Sequence, residues 1–202
     1  MEISGLLKAM SKIADVIKEN RDYLVELDAR SGDGDLGISM DAGFTAVVNY
    51  LEGSEEKDLG KALMRCSAAF NEAAPSTMGT IVSFGLMGMA KSLRGKTSAD
   101  MADVAAAMDA GVALIMEKAK SKPGEKTILD ALHPAVEALK ASDPKDKAKA
   151  LENAFKAAEA GMESTKAMRS VHGRAAYYGE KSIGSVDGGA VVGKLIFQAL
   201  AG

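Results

Sequence analysis

The apolar residues of this chain recur with the period of a helix, and no stretch alternates convincingly with the period of a strand. Ile3, Leu6, Leu7, Met10, Ile13, Ala14 and Ile17 fall on one helical face. Alanine, leucine, methionine, lysine and glutamate dominate, and aromatic residues are only 4% of the chain. That mixture favours helix over sheet. The pattern predicts about eight helical segments, beginning with Ile3 to Leu27 and a second from near Ser39 carrying Met40, Phe44, Val47 and Val48. Four more cover Asp58 to Ala73, Met78 to Arg94, Ser98 to Lys120 and Thr127 to Ala141. The last two run from Pro144 to Met168 and from Ala190 to Ala201. The Met78–Arg94 segment is apolar nearly all round, which predicts a central position.

No linker or internal repeat divides the chain, so its 202 residues read as one domain, 1–202, of all-α class. A net charge of −3 provides no global field for nucleic acid or an anionic membrane. No stretch reaches the roughly 18 apolar residues of a membrane span. The N-terminus follows helical spacing instead of a leader pattern, so a cytoplasmic location is the default expectation. The single cysteine, Cys66, sits in an apolar run and is expected to be an inert core thiol.

Two stretches break the helical pattern. The first is Asp28-Ala29-Arg30-Ser31-Gly32-Asp33-Gly34-Asp35, three carboxylates interleaved with glycines. Gathered like charges repel and raise one another's pKa, so a fold that collects them commonly collects a cation. Oxygen-only donors suit a hard ion such as Mg2+ or Ca2+. An EF-hand register fails, because Arg30 falls where a ligand belongs, and no Walker-type phosphate loop occurs. The alternative reading is a solvated turn in which Asp33 or Asp35 caps the next helix. A helix N-terminus just downstream suits an anion, so metal and phosphate form a natural pair.

The second stretch, Gly173 to Gly189, contains Arg174, Tyr177, Tyr178, Glu180, Lys181 and Asp187. Arg174 could donate paired hydrogen bonds to phosphate or bridge to a surface carboxylate. Asp187-Gly188-Gly189 could cap the last helix or touch a ligand. Ser76 or Thr77 could cap the helix that follows Pro75. The lysines between Lys118 and Lys126 lack interleaved aromatics and read as a solvated turn.

These segments together resemble the nucleotide-binding L subunit, or L domain, of dihydroxyacetone kinases. The resemblance rests on Leu27-Asp28, Gly32-Asp33-Gly34-Asp35 with Gly37 and Met40, Gly79-Thr80, and Pro123-Gly124-Glu125-Lys126-Thr127 with Asp130. It continues through Gly173-Arg174-Ala175, Tyr177, Gly179 to Gly184, Asp187 and Gly189-Ala190, in the family's order. It implies an eight-helix antiparallel barrel with ADP or ATP at its open end. Asp28, Asp33 and Asp35 would bind two Mg2+ ions. Leu36, Gly37, Ile38 and Ser39 would line the phosphate end through backbone amides, with Ser76 and Thr77 as further donors. Arg174 would meet phosphate, Ile128 would pack on the base, and Asp187, Gly188 and Gly189 would border the nucleotide.

The chain departs from the family at Leu36, where histidine is common, and at Asn71 to Met78, which replaces a glycine-rich run. The implied function is a phosphotransferase component working with a K-type subunit that presents dihydroxyacetone or a related ketose. Its ADP could be recharged by a phosphotransferase-system phosphocarrier, the M-type partner, or exchanged for ATP. A homodimer is compatible with the sequence. A non-catalytic nucleotide-sensing module is the alternative function.

Overall fold

A computed structural model describes residues 1–202, which form nine α-helices and two stretches of 3-10 turn, without a strand. The helices are α1 (Ile3–Glu19), α2 (Arg21–Ala29), α3 (Leu36–Glu52), α4 (Leu59–Ala73) and α5 (Thr77–Ser92). The remainder are α6 (Met101–Ala119), α7 (Leu129–Ala141), α8 (Lys147–Ser164) and α9 (Gly188–Ala201). The 3-10 stretches are Thr165–Ala167 and Arg174–Ser182.

Helix boundaries differ from the sequence expectation where a polar side chain takes a backbone partner. The first predicted helix is two helices. Asn20 divides them, its side-chain amide donating to the Val16 carbonyl at 2.8 Å while its backbone leaves helical geometry. Asparagine competes in this way for the backbone's own partners. α3 begins three residues earlier than predicted, at Leu36, directly after the loop whose Gly34 and Asp35 amides donate to the Asp28 carboxylate. α8 begins at Lys147 instead of Pro144, capped by Asp146, whose carboxylate accepts from the Lys149 amide at 3.0 Å. α9 begins at Gly188, and the Asp187 carboxylate accepts from the Ala190 amide at 2.8 Å.

Helix neighbours close a ring: α1 packs on α3, α3 on α4, and so on in sequence to α9, which returns to α1. This is the adjacency that an eight-helix barrel requires, with α2 packed against three of its members, α1, α3 and α9. α5 is therefore a ring member between α4 and α6, not an enclosed central helix, and Thr80 and Lys91 on it are exposed. Its apolar breadth serves two flanking helices and the core at once.

One continuous hydrophobic core lies among these helices and includes Leu6, Ile17, Met40, Leu63, Phe70 and Phe197. Phe44 and Phe70 meet edge to face, with ring centroids 5.0 Å apart. Cys66 is fully buried, and burial pushes its thiol up to about 12, as expected of an inert core cysteine.

A Cβ added at Gly43 would stand 2.5 Å from the Phe70 ring. Gly43→Ala should therefore cost about 1–3 kcal/mol through overpacking, seen as a lower urea midpoint at unchanged slope. Desolvation pushes the Asp187 carboxyl up to about 6 from 3.8, Asp130 adds to the rise, and the Ala190 amide and Lys126 oppose it. The native state thus holds this proton more tightly than the unfolded chain. The resulting stability is full below about pH 4 and is lost as pH rises through about 6. Asp187→Asn should remove that decline from the curve of unfolding free energy against pH.

Candidate functional site

α2 delivers Asp28 near its C-terminus, and the next six residues fold back over it. The Asp28 carboxylate accepts from the Gly34 amide at 2.8 Å and from the Asp35 amide at 3.2 Å. Gly34 turns the chain at φ +75°, a left-handed conformation that glycine adopts without strain. Gly37 lies against the Arg21 carbonyl so closely that no side chain would fit. The first turn of α3 is thereby pressed against the start of α2.

This folding gathers one carboxylate oxygen each from Asp28, Asp33 and Asp35 within 4.8 Å of one another. Asp35 stands at the N-cap of α3, yet its carboxylate accepts no capping hydrogen bond. The capping alternative fails for Asp35, whose side chain is left available to the cluster. Burial, followed by the charges of Asp33 and Asp28, raises its pKa, while Arg174 pulls the other way. Arg174 reaches Asp33 at 2.7 Å. One guanidinium thus faces three carboxylates.

The N-termini of α3, α5, α7 and α9 meet at this end of the ring. A Cβ placed on Gly188 would be 2.8 Å from Leu36. One on Gly189 would be 2.7 Å from Met78 and 3.2 Å from the Ile128 amide nitrogen. These are alternate members of the ring, as an up-and-down arrangement requires. Each helix start carries positive partial charge, which favours an anion at this end; the first-turn amides of α3 lack intrahelical acceptors, whereas Leu129 and Asp130 of α7 already donate to Thr127.

The sequence-derived residues fall into place unequally. Leu36, Gly37 and Ile38 form the first turn of α3, whose amides lack intrahelical acceptors; the Ile38 side chain is 50% exposed. Ser39 differs, because its amide donates to the Asp35 carbonyl at 2.8 Å and is already used inside the helix. Ser76 caps α5 by accepting from the Gly79 amide at 3.1 Å, and Thr77 is exposed beside it. Ile128 is corrected: it is only 2% exposed and its side chain lies against Gly193 of α9, so it offers no open face for a base. Asp187, Gly188 and Gly189 all lie where α9 begins.

Sequence reasoning missed the residues that hold Arg174 in place. Gly184 donates to the Lys166 carbonyl at 2.8 Å and closes the neck of the segment from 166 to 185. Lys126, read as part of a solvated turn, is 5% exposed and donates to the carbonyls of Met168, Ser182 and Ser185 at 3.2, 2.5 and 2.7 Å. Glu125 pairs with His172 at 2.6 Å, which holds the Glu125 carboxyl below its ordinary range. Asp130 holds the turn carrying both residues, accepting from Gly124 at 2.5 Å and Thr127 at 2.7 Å. Thr165 accepts from the Asp187 amide at 3.0 Å. The visible signal was the Pro123–Thr127 block itself; its inward lysine depends on Lys126 taking a left-handed φ of 60°.

The same architecture occurs in solved structures. Dihydroxyacetone kinase from C. freundii, crystallised with AMP-PNP and Mg2+, superposes with a TM-score of 0.77 at 25% identity. The match covers 98% of this chain and 33% of that larger one. The ADP-binding subunit DhaL of the PEP-dependent dihydroxyacetone kinase of Escherichia coli is 30% identical, over 95% of this chain and 92% of the relative. The ADP-binding subunit DhaL of the PTS-dependent enzyme of Lactococcus lactis is 32% identical, over 99% and 97% respectively. Human triokinase/FMN cyclase is 31% identical over 95% of this chain, which spans 33% of that protein. The DAK2 domain model matches residues 30–202, and the chain belongs to this DhaL-type family.

Proposed function

We propose that this protein is the nucleotide-holding component of a kinase for dihydroxyacetone or a related small ketose. The observation that carries the reading is the cluster of Asp28, Asp33 and Asp35 within 4.8 Å, placed where four helix N-termini meet and faced by Arg174. Oxygen donors of one sign, balanced by a single guanidinium, fit hard divalent cations better than zinc. Asp28, Asp33 and Asp35 would hold two Mg2+ ions, which when bound neutralise the charge of the nucleotide phosphates.

The rest of the site binds and orients. The free amides of Leu36, Gly37 and Ile38 donate to phosphate oxygens, reinforced by the dipole of α3. Arg174 adds a charged donor from the opposite side. Ser76, whose oxygen already accepts from Gly79, retains its hydroxyl proton for a phosphate, and exposed Thr77 offers another. Asp187, Gly188 and Gly189 border the nucleotide at the start of α9. Such a site accelerates phosphoryl transfer by positioning and electrostatics, with the acceptor hydroxyl brought by a partner. That partner is a K-type subunit carrying the ketose. ADP held here is either recharged by an M-type phosphocarrier or exchanged for ATP.

Asp33→Asn should weaken Mg2+-dependent ADP binding at least about tenfold by titration calorimetry, equivalent to 1.4 kcal/mol. Unchanged affinity would remove Asp33 from the metal site. In reconstitution with a K-type subunit, labelled phosphate should pass from nucleotide to dihydroxyacetone. An assembled pair that phosphorylates no triose or tetrose ketose would point instead to a nucleotide-sensing module.

A further inference from the structure

Arg174 reaches Asp33 from the tip of a loop with little packing of its own. Its side chain is 65% exposed, and Tyr177 on the same turn is 92% exposed. An exposed ion pair contributes too little to fix such a loop. Order must come from the neck, where Gly184 bonds to Lys166 and the ends of the segment come together. The segment is a surface loop whose ends lie side by side.

A buried ammonium fills that neck. Lys126 presents three N–H donors to three carbonyls: Met168 on the outgoing limb of the loop, Ser182 and Ser185 on the returning one. Burying this charge is costly unless every donor is matched, and here every donor is matched. The Ser170 amide donates to the Ser182 hydroxyl at 2.9 Å, and that hydroxyl donates to the Gly179 carbonyl at 2.6 Å. The neck is therefore a connected polar network. Glu125, adjacent to Lys126, grips His172, two residues before Arg174. Two consecutive residues of one turn thus hold both ends of the segment that carries Arg174.

We propose that Lys126 is a positioning residue for the candidate nucleotide site, pinning the neck of the 166–185 loop so that Arg174 stands over the Asp28–Asp33–Asp35 cluster. It touches neither the carboxylates nor the phosphates. It acts through the backbone carbonyls that it joins, and its consequence for binding rests on the nucleotide reading above.

The test compares Lys126→Met, Arg174→Gln and the double variant, using hydrogen exchange of the unliganded protein and Mg·ADP affinity. In Lys126→Met, peptides covering 168–185 should exchange at least about tenfold faster while those of α4, α5 and α6 keep wild-type protection. Arg174→Gln should leave exchange at the neck unchanged. Each single variant should weaken Mg·ADP about tenfold, the effect of one charge-assisted hydrogen bond, and the double variant should stay within about twofold of the worse single one. Additive losses, or wild-type protection of 168–185 in Lys126→Met, would overturn the proposal. Should Lys126→Met not fold, Lys126→Gln, which keeps N–H donors without the charge, takes its place; if that also unfolds, the lysine supports the whole core and the proposal fails. Absence of Mg·ADP binding by the wild type would instead defeat the nucleotide reading, and the exchange result would still decide whether Lys126 pins the loop.

Discussion

The carboxylate of Asp28 accepts two amide hydrogens from the loop that follows it, at Gly34 and Asp35. Those bonds reverse the chain within a few residues and place Asp33 and Asp35 beside Asp28. They also determine where α3 starts, because Asp35 becomes its N-cap residue. The same contact therefore gathers the negative charge and aims the free amides of α3 at the space beside it. A substitution that released the loop would disperse both.

Three neighbouring carboxylates are electrostatically unfavourable, and the fold offsets this from two directions. The ring brings the starts of α3, α5, α7 and α9 together, and the cluster lies at the positive end of α3, where Asp35 is the N-cap residue. The 166–185 loop brings Arg174 to Asp33. Residual repulsion is visible at Asp35, whose pKa stays raised by burial and by both neighbouring aspartates. A site with uncompensated negative charge beside a ring of amide donors is suited to hold cations and polyanions together, which is the chemistry of a metal-nucleotide complex.

Much of this was legible in the chain itself. Helical periodicity identified every ring helix, because an apolar face repeats along each one. The aspartate spacing and the distant Arg174 block were visible as local text. Position-level errors arose where the outcome depends on what packs from elsewhere. Ile128 is apolar and follows the Lys126-Thr127 pair, but α9 closes over it through Gly193 and leaves it in the core. Lys126 looked like one more solvated lysine, and only the carbonyls of a segment more than forty residues away make its burial favourable. The break at Asn20 depends on a side chain outcompeting the backbone, a balance that periodicity does not record.

The sequence alone determined the class of structure and the kinds of group at the site: helices from their apolar period, three oxygen donors from aspartates between glycines, and an arginine in a distant loop able to pair with an anion or a carboxylate. These are properties of local chemistry, written in adjacent residues. The tertiary structure decided which groups meet. Closure of the ring set four helix N-termini together, and the Lys126-pinned neck sets the course of the loop that carries Arg174 to Asp33. Both depend on burial and hydrogen bonding between distant segments, which local residue order does not encode.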